Sequence, residues 1–293
     1  MVRKIGTARR IAVAAVRRRP VVLCYHRVAA VAHDPWELAV TAEDFDGHLG
    51  VLAATGRPVL PLDELQRRTA EGRAPRGAVA ITFDDGYVDN LTEAAPILER
   101  HGAHATMFVV TGSIGSTTTM WWDRLAAIAA TRSDIDIDVD AHWDGLQRMA
   151  PDERDRELDR LAGEPTEPTE PTERMMTADE LARLDALDHV TVGSHTVTHP
   201  KLTVTDRRTH EGELTESKAT LEEILGRDVD LLAYPHGAAD PEIAATARRA
   251  GYRLAVTTEG RPLRKDDHPL LLPRLTVGSW SPERFARVLR SFG

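Results

Sequence analysis

Short apolar runs recur along this 293-residue chain, and several of them end abruptly on side chains that carry chemistry. Residues 77–81 run into Thr82-Phe83-Asp84-Asp85-Gly86-Tyr87, an apolar strand stopped by two adjacent carboxylates and a glycine. Residues 21–25 end in His26-Arg27, and residues 190–192 empty into Gly193-Ser194-His195-Thr196-Val197-Thr198-His199-Pro200. Residues 229–233 lead to Tyr234-Pro235-His236-Gly237, and a late run at 271–277 holds Arg274. Residues 105–110 and 253–256 complete the strand pattern, with a shorter strand expected near 58–60. Helical patterns separate these runs at 41–55, 62–69, 90–100, 177–187, 206–225, 241–250 and 282–292; the first opens on the start signal Thr41-Ala42-Glu43-Asp44. Repeated strand–helix units imply a parallel sheet with helices outside, and seven or so strands predict closure into a barrel. In such barrels functional groups gather at the C-terminal ends of the strands, where His26, Asp84, Asp85, His195, His199, His236 and Arg274 are all expected.

Composition narrows the options. A hydrophobic content of 42% in a chain of this length suits one large α/β core. The single cysteine, Cys24, lies in an apolar run and reads as a buried structural thiol. The net charge of −9 hides an asymmetry, because eight basic residues and no acidic one precede Asp34. The acidic remainder argues against nucleic acid as the main partner. Residues 1–20 read as a basic helical leader whose longest apolar run, Ile11 to Val16, is shorter than a signal core of ~7–15 residues or a spanning helix of ~20. The expectation is therefore no cleaved signal and no transmembrane helix, with action in the cytoplasm or at the inner membrane face. A solvated leader and one resting on an anionic membrane both fit its charge.

The body, residues 21–293, is expected to carry a surface insertion at about 113–175, where the strand–helix pattern loosens around the pair Trp121-Trp122. Within it, residues 164–173 repeat a Pro-Thr-Glu unit with no side chain large and apolar enough to pack, the composition of a stiff, solvated excursion.

His195 and His199 are four positions apart, a spacing that in a helical turn brings both imidazoles to one side and lets them bind one metal. Beside a strand ending in paired carboxylates, this predicts a metal site. Two histidines and one aspartate leave positions open for water and substrate, as in a catalytic centre. The ligand set suits zinc and also admits cobalt, iron, nickel or manganese.

The Thr-Phe-Asp-Asp-Gly run, the Ser-His-x-x-x-His-Pro run and the Tyr-Pro-His-Gly strand end together resemble the polysaccharide deacetylases of carbohydrate esterase family four, the nodulation-deacetylase homology group. The likeness spans about residues 21–292. It implies a distorted, incomplete (β/α)7 barrel and metal-dependent removal of an N-acetyl or N-formyl group from an amino sugar in a polysaccharide, oligosaccharide or lipid-linked glycan. By the family pattern Asp84 is the general base, and Asp85, His195 and His199 are the metal ligands. The commonest version places an arginine before the later strand end, where this chain has Leu231-Leu232-Ala233, and an acid histidine late in the chain, where His268 is followed by Pro269. The resemblance is closer to a branch whose acid histidine ends an early Tyr-His strand, matching Tyr25-His26, and whose base is flanked by an arginine from a late strand, matching Arg274.

These roles are chemically coherent. A metal lowers the pKa of bound water from ~15.7 to about 7, Asp84 accepts the proton, and Arg274 keeps Asp84 ionised. The metal and the backbone N–H of His236 would stabilise charge on the acyl oxygen, while His26 protonates the leaving amine. Tyr87, Trp121, Trp122 and Tyr234 are candidate stacking walls for a sugar ring, with core packing the competing use. Asp123 is a candidate orienting group, with a helix N-cap as its competing use. Two further readings stay open: an amidohydrolase acting on a small non-sugar C–N bond with the same site, and a non-catalytic carbohydrate-binding protein.

Overall fold

The computed structural model describes residues 18–116, 119–132, 137–162 and 174–292. Most of the basic leader, residues 133–136 and the Pro-Thr-Glu repeat lie outside the described residues.

In chain order the elements are β1 (Val21–Tyr25), β2 (Arg27–Val28), β3 (Ala39–Val40), α1 (Ala42–Ala54), α2 (Leu62–Ala70) and β4 (Val79–Phe83). A π-helical turn, Asn90–Ala94, opens α3 (Ala95–Arg100), and β5 (Ala105–Val109) follows. Three helices come next, α4 (Trp121–Thr131), α5 (Val139–Leu146) and α6 (Pro151–Ala162), then α7 (Ala178–Asp185) and β6 (Val190–Ser194). The chain closes with α8 (Arg207–Leu225), β7 (Leu231–Ala233), α9 (Pro241–Arg249), β8 (Leu254–Val256), β9 (Leu275–Thr276) and α10 (Pro282–Ser291). Side-chain caps start many of these helices where the sequence offers them: Thr41 before α1, Asp206 before α8, Asp240 before α9, Ser281 before α10, and a Thr177–Glu180 capping box before α7.

Seven strands form one all-parallel sheet in the order β8-β7-β6-β5-β4-β1-β9, while β2 and β3 pair separately. The sheet curls into an incomplete (β/α)7 barrel. Among the described residues its two edges are joined through the segment around Arg274: Leu272 bridges Val256 of β8, and Leu275 and Thr276 pair with Leu23 and Cys24 of β1. The expected strand at 271–277 is thus reduced to β9, because Pro273 lacks an N–H to continue the ladder and the chain changes partner across Arg274. The strand expected near 58–60 is likewise only an isolated Val59–Val79 bridge.

Strand alternation sorts the core into layers. Val21, Leu23 and Tyr25 of β1 and Val79, Ile81 and Phe83 of β4 face the helices with Phe45, Leu49 and Phe285. Val22, Ala80, Phe108, Leu231, Ala233, Leu254 and Val256 fill the barrel interior. Gly193 makes room there, since a Cβ at that position would lie 2.7 Å from the Phe108 ring. The helices α4 to α6 build a further cluster around Trp121, Trp122, Leu125, Leu146 and Leu158, which also packs Tyr87.

The register Tyr25↔Phe83 and the Asp84 N–H bond to the Tyr25 carbonyl (2.9 Å) bring the ends of β1 and β4 side by side, so His26 and Asp84 emerge together. Inward phase continues past each strand, placing Cys24, Asp84 and His195 toward the barrel axis. Asp85 breaks this alternation: at φ 77°, followed by Gly86 at φ 91°, the backbone turns so that the second carboxylate faces the same mouth. A Cβ on Gly86 would lie 2.9 Å from Val109 Cγ1. Gly86→Ala is expected to destabilise the protein by about 1–3 kcal/mol, read from chemical denaturation, because it combines an unfavourable backbone region with this clash.

Candidate active site

Asp84 meets Arg274 in a fully buried, two-pronged ion pair: Nη1 donates to Oδ1 at 2.7 Å and Nη2 to Oδ2 at 2.7 Å. The same arginine donates from Nη1 to Thr82 Oγ1 (3.0 Å) and from Nε to the Thr257 carbonyl (3.0 Å), which fixes its plane. Burial alone would raise the Asp84 pKa; Arg274 and then His195 outweigh it and hold the carboxylate well below its usual range. The buried Cys24 thiol lies 3.5 Å from Asp84 Oδ2 and completes the carboxylate's surroundings.

Asp85 has the opposite environment. Burial, and then the charge of Asp84, push its carboxyl well above the usual range. Its Oδ1 lies 3.6 Å from Nε2 of both His195 and His199, and its buried Oδ2 has no hydrogen-bond partner. His195 Nδ1 pairs with the Ala233 carbonyl at 2.8 Å; the N–H therefore sits on Nδ1 and the Nε2 lone pair faces Asp85. Separations of 3.6 Å are too long for hydrogen bonds but match ligands sharing a metal, since tetrahedral bonds of 2.0–2.2 Å place donors about 3.4 Å apart. Asp85, His195 and His199 thus fit a divalent metal, with all three donor atoms within 4.8 Å of one another.

The histidine pair does not lie on a helical turn, as its spacing suggested. Thr196 (φ 69°) and His199 (φ 55°) adopt left-handed conformations that fold the loop back on itself. Glu213 of α8 holds that loop, accepting from the Val197 and Thr198 N–H groups (2.7 and 2.9 Å) and from the Thr198 hydroxyl. Sequence reasoning missed Glu213, because a carboxylate inside a charged helix gives no local sign of a distant loop.

His26 is half-buried at the end of β1, its ring within 4.8 Å of the Asp84 carboxylate and the Cys24 sulfur. Loss of water around it lowers its pKa to about 4, against a smaller upward pull from Asp84. Asn90 Nδ2 donates to the His26 carbonyl (2.9 Å), and Asp89 binds the Arg27 Nε (3.0 Å) and the Val28 N–H (3.2 Å), so the residues just past the aspartate motif fix this segment. His236 sits at φ 58°, its ring centroid 4.7 Å from that of His199 and its buried Nε2 without a hydrogen-bond partner. Burial, with His195 and Lys201 adding to it, lowers its pKa to about 3.

His26, Asp84, Asp85, His195, His199 and His236 line one cleft of about 360 Å³, with Arg274 behind Asp84 rather than on its surface. Trp122 reaches it; Tyr87, Trp121 and Tyr234 do not line it. The Tyr87 hydroxyl accepts from Trp122 Nε1 (2.8 Å) and donates to Asp123 (2.7 Å), the Tyr234 hydroxyl donates to the Leu270 carbonyl (3.1 Å), and Trp121 packs between Trp122 and Trp143. Their rings are buried in the core, the competing use that their sequence positions allowed. Asp123 does not cap α4, whose N-cap is Met120. Trp143 and Lys201, absent from the sequence candidates, do line the cleft. Trp143 was obscured because it lies in a polar stretch of the insertion, away from any strand end.

A polysaccharide deacetylase family model matches residues 71–255, and the chain belongs to that family. It is 22% identical over 257 residues to a Bacillus subtilis protein provisionally named polysaccharide deacetylase YxkH, covering 87% of this chain and 70% of that one. A 79-residue stretch, 27% of each chain, is 33% identical to the poly-β-1,6-N-acetyl-D-glucosamine N-deacetylase of Staphylococcus epidermidis. The fold is similar to that of the Streptococcus pyogenes deacetylase PplD solved with acetate, at a TM-score of 0.65 and 22% identity, covering 94% of this chain and 98% of that one.

The raised pKa of Asp85 gives metal binding a sign. A proton on the metal-free carboxyl competes with the metal, so zinc affinity is expected to rise with pH, with proton release detectable by calorimetry in buffers of different ionisation heat. Asp85→Asn should cost more than the ~10–100-fold typical of losing an outer partner.

Proposed function

We propose that this family member is a metal-dependent hydrolase that removes an N-acetyl or N-formyl group from an amino sugar. The observation that carries the reading is the division of labour between adjacent carboxylates: Asp84 is committed to Arg274, while Asp85 shares a donor cluster with His195 and His199. A divalent metal held by Asp85, His195 and His199, zinc by preference and cobalt, iron, nickel or manganese by the same ligand chemistry, would acidify a water and polarise the acyl carbonyl.

Asp84 takes the proton from the attacking water. Its low pKa keeps it ionised but makes it a weak base, so the acidity of that water must drive the transfer. Arg274 fixes the carboxylate so that no reorientation precedes the step. His26 enters neutral, given its pKa of about 4, and must gain a proton before it can protonate the leaving nitrogen. The Asp84 carboxylate lies within 4.8 Å of the His26 ring with no hydrogen bond between them, so passing that proton from Asp84 to His26 would require a bridging water or the substrate itself. The backbone N–H of His236 is assigned to the acyl oxygen.

Support for the substrate class comes from the family and from the Staphylococcus epidermidis relative, whose name specifies an N-acetylated glucosamine polymer. A cleft of about 360 Å³ walled by Trp122 and Trp143 suits one sugar ring at a time, whether in an oligosaccharide, at a polymer position or on a lipid carrier. The same size keeps a small cyclic amide as a second reading. Among the described residues no helix is long and apolar enough to cross a membrane. Exposed Arg18, Arg19, Arg76, Arg264 and Lys265 gather around one groove near the start of β1, which supports contact of that face with an anionic membrane on the cytoplasmic side.

Asp84→Asn is expected to lower kcat for release of acetate from N-acetylglucosamine oligomers by at least about 100-fold while metal content stays at the wild-type level, measured by acetate assay and elemental analysis. Loss of metal together with activity would contradict the separate roles.

A further inference from the structure

Lys201 follows His199-Pro200 and lines the cleft, half-buried. Its ammonium forms no ion pair with any described residue; its partner is a neutral amide, with Nζ donating to Gln147 Oε1 at 3.2 Å. The orientation of that amide is determined by its other end, since Gln147 Nε2 donates to Asp144 Oδ1 at 2.8 Å. Gln147 is 7% exposed and also lines the cleft, so the lysine is held in place without being neutralised. The unpartnered, buried Nε2 of His236 opens on the same space, and Thr258 beside it is occupied with the His236 carbonyl.

Charge balance gives this arrangement meaning. On the cleft floor Arg274 neutralises Asp84, and a divalent cation among Asp85, His195 and His199 would more than offset the remaining carboxylate. Lys201 then adds a second positive charge at the wall of a cleft, on a protein whose net charge is −9. An uncharged amino sugar brings that ammonium no counter-charge, and among the described residues its link to a carboxylate runs only through the Gln147 amide to Asp144. A ring substituted with a carboxylate or phosphate supplies one, and in a partly dehydrated cleft the resulting charge-assisted hydrogen bonds outweigh neutral ones.

We infer that Lys201, positioned by Gln147, forms a subsite for an anionic substituent, so that the substrate is an amino sugar bearing a carboxylate or phosphate near its acylated ring. The inference rests on the amino-sugar reading above and names the substrate class within it.

The test measures binding and turnover separately. Calorimetry on zinc-loaded Asp84→Asn compares N-acetylglucosamine with N-acetylglucosamine 6-phosphate and with N-acetylmuramic acid, the two sources of negative charge. At least one charged probe is expected to bind about tenfold or more tightly than the neutral sugar at low salt, with the advantage shrinking as salt is added. Adding Lys201→Gln should abolish the advantage and leave neutral-sugar affinity and zinc content unchanged, and Lys201→Arg should retain most of it. Equal affinity for all three probes, or an advantage that survives Lys201→Gln, overturns the subsite. Turnover by the protein with native Asp84 discriminates the two readings. Charge-selective binding without deacylation of any probe counts against the hydrolase and leaves the subsite standing; deacylation without charge preference does the reverse.

Discussion

The buried pair of Arg274 with Asp84 is the interaction on which the rest of the site depends. Removing one partner from such a pair leaves an uncompensated charge and typically costs about 3–5 kcal/mol, so the pair is held to its geometry by the penalty for breaking it. Thr82 and Thr257 take two of the remaining guanidinium bonds, which leaves Arg274 one arrangement in which its donors are satisfied. The segment carrying Arg274 also crosses the gap between the edges of the sheet, with Leu272 on β8 and Leu275 on β1. Closure of the barrel and ionisation of Asp84 therefore rest on the same few residues. Because Asp84 is committed, its neighbour Asp85 is the carboxylate left free to balance a cation on the proposed reading.

Strain is concentrated in the same place. Among the described residues five non-glycines have positive φ, and four of them, Asp85, Thr196, His199 and His236, belong to the site or the loop that shapes it. Each costs of order 1–3 kcal/mol and persists only where surrounding structure overdetermines it. The surroundings here are identifiable: Glu213 on the 196–198 backbone, the Gly86 turn after Asp85, and Gly237 packed against Thr258 after His236. In each case the strained backbone brings a polar side chain into the cleft that regular strand geometry would have sent elsewhere.

That strain separates what was legible in the sequence from what was not. The strands and their order of appearance could be read because an apolar run of five residues that stops on His26 or Asp84 is too short for a helix and has the length of a buried strand. The parallel sheet follows from the helices between such runs. That the two histidines and one of the paired carboxylates would meet was legible from residue type, with Asp85 singled out only by the family resemblance; spacing of four suggested a helical turn, whereas two left-handed residues bring the rings together. Aromatic residues were the poorest guide. Tyr87 and Tyr234 stand beside motif residues in sequence, and Trp121 beside the cleft residue Trp122, yet packing turns all three into the core. Trp143, Gln147 and Lys201 reach the cleft from the insertion and from a loop whose path depends on tertiary contacts with α8. Short-range patterns carry no record of such contacts.

On the proposed reading, Arg274 divides two adjacent aspartates into a base and a metal ligand. Anomalous diffraction at the zinc edge, on crystals of the wild-type protein and of Arg274→Met grown with zinc, tests this division of roles at the atoms concerned. One zinc position is predicted in the wild type, bonded to Asp85, His195 and His199 with Asp84 remaining on Arg274. In the variant Asp84, released from its partner, should turn toward the metal. Zinc bonded to Asp84 in the wild type, or an Asp84 conformation unchanged by loss of the arginine, would contradict it.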